Sequence, residues 1–206
     1  MRIARSFFVA AGLSVMLAAC GGGGGGKEVV EEVIEEVTET TAPPAQYPAT
    51  GELAKYAGHY SYCDGNYTKM TVEFAGGPNG TMTAASRATA YEYADCTGQA
   101  IGTLSVDPAS TVVYKSSGIS TVSGANLPTS LLIDKVSISV EDAVPSLSGP
   151  GVSGNCIAYP KGKRCYDLSP VTASSPDSAL YLANNMLYNL QLQNGVYSVA
   201  VAYTRD

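Results

Sequence analysis

Residues 69–74 read Lys-Met-Thr-Val-Glu-Phe, so that Met70, Val72 and Phe74 alternate with Lys69, Thr71 and Glu73. Successive side chains of an extended chain point to opposite faces, so this pattern predicts a strand with one buried and one wet face. The run ends in Gly76-Gly77-Pro78-Asn79-Gly80, a dense turn signal, and the chain then returns over Thr81 to Tyr93 as one long or two short strands. The same grammar recurs over Ala100–Val106, Thr111–Lys115 and Leu131–Val140, with one slip in the last at Asp134-Lys135 that predicts a bulge. Near the end, Ala179–Leu182, Met186–Leu192 and Tyr197–Thr204 are separated by Asn184-Asn185 and Asn194-Gly195, which predicts a meander. Asn-Gly is a strong hairpin signal, because a type I′ turn requires positive φ at both central residues. Only Ser178–Gln191 offers a competing helical pattern, through Leu180, Leu182, Met186 and Leu190. Glu141 to Asn155, rich in Ser, Gly and Pro, reads as a long surface loop. The expectation is an all-β domain, a single antiparallel β-barrel or β-sandwich of about 8–10 strands, with the barrel favoured.

The domain is expected to span 48–206. Those residues suffice to bury about 68–70% of the unfolded surface in one core. Its nine Lys/Arg face twelve Asp/Glu, a net charge of −3, and no basic stripe suggests nucleic acid. Tyr56-Ala57-Gly58-His59-Tyr60 resembles the Gly-x-Trp entry of lipocalins, with Tyr in place of Trp. That resemblance is what tips the reading towards a barrel.

Residues 1–19 have the three parts of an export signal. Arg2 and Arg5 supply the positive start, and Phe7 to Ala19 is an apolar run of thirteen residues. A bilayer core needs about 20. Leu17-Ala18-Ala19-Cys20 then resembles the lipobox of bacterial lipoproteins. The resemblance implies that Cys20 becomes the lipidated first residue of the mature chain. It also implies a location at the cell envelope, with the membrane as a partner through that lipid. Gly21, where a retained lipoprotein often has Asp, points to the outer membrane, with the periplasmic and outward faces both open.

Residues 20–47 read as a flexible tether. Six glycines, 21–26, are followed by an acidic stretch from Lys27 to Val37 and by Pro43-Pro44. Val30, Val33, Ile34 and Val37 have helical spacing, but six glutamates against one lysine predict mostly coil. The segment reaches roughly 90 Å when extended and averages about 30 Å as a coil.

Four cysteines remain after Cys20. An even count in an exported protein reads as disulfides. Of the three pairings, Cys63–Cys96 and Cys156–Cys165 are expected, since each brackets a turn-rich excursion that brings its ends together locally. No metal site is expected: His59 is the sole histidine and no Cys-x-x-Cys occurs.

No catalytic motif is present either. Gly151-Val152-Ser153-Gly154 does not match the nucleophile elbow. No carboxylate spacing marks an acid/base pair, and no cofactor is implied. Cys63-Asp64-Gly65-Asn66 is too short for a calcium loop and reads as a turn. Asn66-Tyr67-Thr68 matches a glycosylation acceptor only formally.

Two features point to binding. The chain has fourteen tyrosines and no tryptophan, and tyrosine suits both cores and contact surfaces. Lys161, Lys163 and Arg164 cluster on the Cys156–Cys165 loop, a candidate contact for an anionic partner. The functional expectation is a membrane-anchored, non-catalytic binding or structural module for a protein or small-molecule ligand. A surface-exposed adhesin or inhibitor-like protein is the alternative, and an enzyme without a recognisable motif the third.

Overall fold

A computed structural model describes residues 47–206. The expectations for the signal peptide, Cys20 and most of the tether lie outside these residues.

A short 3-10 helix, Gly51–Tyr56, leads into twelve strands: β1 (Gly58–Cys63), β2 (Thr68–Gly76), β3 (Met82–Tyr91), β4 (Ala100–Asp107), β5 (Ser110–Ser123), β6 (Ser130–Ser148), β7 (Val152–Ser153), β8 (Cys156–Tyr159), β9 (Gly162–Cys165), β10 (Val171–Ala183), β11 (Met186–Gln193) and β12 (Val196–Arg205). Nine strands form one sheet, within the expected range, and β7–β9 form a separate small one. β4 and β5 follow one another along a single lane, both flanked by β3 on one side and β6 on the other. The eight lanes then run in chain order, each antiparallel to the next, and β12 closes on β1 through Tyr60↔Arg205 and Ser61↔Thr204. This is a closed up-and-down barrel, which leaves few free sheet edges.

A barrel of eight strands is only wide enough for side chains or one small ligand. Here side chains fill it. Val72 and Phe74 of β2, Met82 and Ala84 of β3, Val136 and Ile138 of β6 and Tyr203 of β12 form one cluster with Tyr60 and Leu180. The 3-10 helix inserts Leu53 and Tyr56 into the same cluster. The outward side chains of β2, β3 and β4 include Lys69, Thr71, Glu73, Arg87, Thr89, Thr103 and Ser105. Thr89 pairs with Thr103, and Ser105 with Ser146, through their hydroxyls.

A second cluster lies on the other face. Ala179 and Tyr181 alternate with Leu180 and Leu182, and the first pair packs with Ile133, Leu190 and Tyr197 rather than inside the barrel. The β5–β6 hairpin covers this core and is fastened by a parallel pairing of Val122 with Tyr197.

The slip at Asp134-Lys135 corresponds to a bulge, but the extra residue lies in the partner strand, between Tyr114 and Ser116 of β5. Asp134 is only 3% exposed. Its carboxylate takes hydrogen bonds from Tyr56 at 2.5 Å and from Ser117, and pairs with the Lys55 ammonium at 2.6 Å. Burial opposes its charge, yet Lys55 and the two hydroxyls outweigh burial and hold the carboxyl below its ordinary value. A depressed pKa contributes stability that is complete above the unfolded value of about 3.9 and is lost as pH falls through the folded one. The domain is therefore expected to lose stability below about pH 4. Asp134→Asn should flatten that part of the curve in urea melts at stepped pH, and an unchanged slope would exclude Asp134 as its source.

One expectation needs correction. Glu141–Ser148 is not loop: β6 continues to Ser148, pairing with β4 through Leu104↔Leu147 and Val106↔Pro145. Its pairing with β10 has ended by Ala143, so Pro145 sits where one side of the ladder is already open, a position proline tolerates. Over Ser178–Gln191 the expected meander forms in place of the competing helix, as the β10–β11 hairpin turning at Asn184 and Asn185 with φ of 50° and 60°.

Candidate binding cleft

Both disulfides form as expected, Cys63–Cys96 and Cys156–Cys165. The first ties the end of β1 to the turn between β3 and β4. The second joins directly opposed residues of the β8–β9 hairpin. That hairpin is docked on the barrel by Ile157, which is buried over Gly102 of β4. A Cβ on Gly102 would lie 2.9 Å from the Ile157 side chain, so the absence of a side chain at 102 is what seats the hairpin.

Docking brings the hairpin against the turn between β1 and β2. There the Asp64 carboxylate accepts the amides of Asn66 and Thr68, at 2.6 and 3.0 Å, which makes Cys63–Asn66 the expected turn. Tyr67 adopts φ of 71°, a left-handed conformation unusual for a bulky side chain. Its carbonyl accepts the Tyr91 amide at 2.8 Å, which helps hold it there. The ring of Tyr67 meets that of Tyr159 edge-on, with centroids 6.5 Å apart.

Of the three cations singled out in the sequence, Lys161 lies 5.8 Å from the Tyr67 ring centre and Arg164 lies 4.9 Å from that of Tyr159. Lys163, opposite Ala158, alternates to the other side of the ribbon but still lines the cleft. Tyr159 and Tyr166 share a hydroxyl–hydroxyl bond of 3.0 Å. Burial, then this bond, pushes the Tyr166 phenol well above its ordinary value, so it remains a neutral hydrogen-bonding group. Among the described residues, none of the three cations forms a salt bridge; the ion pairs there are Lys55–Asp134 and the loose His59–Glu73 contact at 3.9 Å.

The result is an open cleft of about 210 Å³ between Asn66-Tyr67 and Tyr159–Arg164. Pockets that enclose a drug-sized ligand run to about 300–1,000 Å³. This cleft therefore suits a group on a larger ligand rather than an engulfed molecule. Sequence reasoning found the cations but not Asn66, Tyr67 or Tyr159. The excess of tyrosine was the available signal, and nothing local distinguished these two from core tyrosines.

Other candidate chemistry is not assembled. His59 is on the outside of β1, facing Glu73, and the Ser61 hydroxyl donates to Asp206 at 2.6 Å rather than to the imidazole. Cys63, Asp64 and Cys96 lie within ligand distance of one another, but the two sulfurs are bonded together and Asp64 serves the turn. The chain matches no known family model, no curated protein and no solved structure.

Proposed function

We propose that this protein is a non-catalytic binding module of the bacterial cell envelope, held in the outer membrane by lipid on Cys20. The barrel serves as a rigid stand and the tyrosine–cation cleft as its binding face. The observation that carries this reading is the position of the cleft relative to the chain's entry. Tyr47 pairs with Gly76, at the end of β2, while Tyr67 immediately precedes Thr68, at its start. Eight residue steps of strand separate the two, about 27 Å. A domain tethered through Tyr47 thus presents the cleft on the side away from its anchor. The filled interior supports an external site, and the polar outer side of β2, β3 and β4 supports anchoring by lipid rather than by the strands.

The first test is fractionation. The parent chain is expected in the membrane fraction and labelled by fatty acid, and Cys20→Ser in the soluble fraction and unlabelled. Retention of that variant with membrane lipid would sink the anchor. An outward-facing adhesin or inhibitor-like protein shares the same build, and the anchor-distal cleft suits it equally. Protease shaving of intact cells separates the two, because only an outward domain is cut.

A further inference from the structure

We infer that the cleft binds an acidic glycan, a sugar polymer whose carboxylates meet Lys161, Lys163 and Arg164. This rests on the reading above that the cleft is the binding face. Charge comes first. Three of the domain's nine cations fall within four residues of a domain whose net charge is −3. Among the described residues they have no carboxylate partner. A locally positive patch on an acidic body attracts anions while the rest of the surface repels them.

The lining is aromatic and polar. It comprises Asn66, Tyr67, Tyr159, Gly162 and the three cations, with no aliphatic side chain. Tyrosine and arginine also anchor protein interfaces, so an acidic peptide is the competing occupant that the test has to separate from a glycan. Sugars are held by amide, phenol and ammonium groups of the kind this cleft presents. Its openness and size suit one unit of a chain that continues on either side. The scaffold is also pre-organised. The Cys156–Cys165 bridge, the seat of Ile157 over Gly102 and the held conformation of Tyr67 fix the groups before a ligand arrives.

The test uses the full chain in detergent, with polygalacturonate as the acidic glycan, dextran as the neutral one and polyaspartate as the acidic peptide. Polygalacturonate is expected to bind, and dextran and polyaspartate to bind far more weakly. The triple variant K161A/K163A/R164A should lose about tenfold in affinity, as expected for two exposed charge contacts and one half-buried one. Binding should also collapse in about 1 M NaCl, where the Debye length is about 3 Å. Lys161 and Lys163 are exposed and Arg164 is half-buried, and an unchanged thermal midpoint will show that the variant is folded. Equal binding of dextran, tighter binding of polyaspartate, or an indifferent triple variant would each overturn the inference. Absence of polygalacturonate binding would overturn it as well. Pull-down on total envelope material then separates the two claims. Retention of the parent chain but not the triple variant would keep the cleft as the binding face while the glycan fails. Equal retention of both would end both claims.

Discussion

Tyr56→Ala is expected to cost about 4 kcal/mol, the middle of the range for truncating a buried aromatic. That is a large share of the 5–15 kcal/mol typical of a whole domain. Tyr56 is 1% exposed and enters the barrel from the 3-10 helix rather than from a strand. Its removal leaves a cavity among Tyr60, Leu180 and Val136 that rigid barrel walls cannot collapse to fill. The phenol proton is also lost from between the Asp134 carboxylate at 2.5 Å and the Leu180 carbonyl at 3.0 Å. Tyr56→Phe separates the two effects, since it keeps the ring and should cost about 1–3 kcal/mol. Chemical denaturation of the two variants measures both, and equal losses would mean that the hydroxyl, not the packing, holds the plug.

The second large effect concerns the bridges. Cys63→Ser with Cys96→Ser is expected to cost about 3.5–4 kcal/mol, and Cys156→Ser with Cys165→Ser about 2.5–3, from the chain entropy of the loops they close. Those loops span sequence separations of 33 and 9. The two losses also differ in kind. The larger bridge joins β1 to the β3–β4 turn and so constrains the barrel wall itself. The smaller one lies within a hairpin seated by Ile157, so its loss should weaken glycan binding more than global stability. A double variant at 156 and 165 that destabilises as much as one at 63 and 96 would refute this division.

The strands were legible wherever one face is wet. Met70, Val72 and Phe74 announce β2, and Asn194-Gly195, with φ of 51° and 79°, turns β11 into β12 as the dipeptide predicts. Legibility failed where both faces are covered or neither is. Ser116–Ser123 of β5 was missed because its apolar face is sparse, with Val122 buried and Ile119 turned to solvent. The second half of β6 was hidden by Pro145 and by its serines, one of which, Ser146, pairs its hydroxyl with that of Ser105 in β4. The second core was invisible for a related reason. Ala179 and Leu180 are both buried, each on its own face, and a sequence read for one wet face cannot assign such a pair. At the cleft, the cations were legible as a cluster. Tyr67 lies almost a hundred residues away from them and meets them only because the hairpin is docked, which no local pattern encodes.

The place where the chain enters has a mechanical consequence. A pull applied at Tyr47 breaks the Tyr47–Gly76 bridge first and then draws on the helix holding Leu53 and Tyr56. If those yield, β1 peels as far as Cys63 and no farther. The sixteen peptide steps between Tyr47 and Cys63 give about 55 Å of extension. Beyond that point tension crosses the covalent link from Cys63 to Cys96 and bypasses everything between them. Tyr67 lies in that bypassed stretch, so a pull applied at Tyr47 is not carried along the backbone of the segment that holds it.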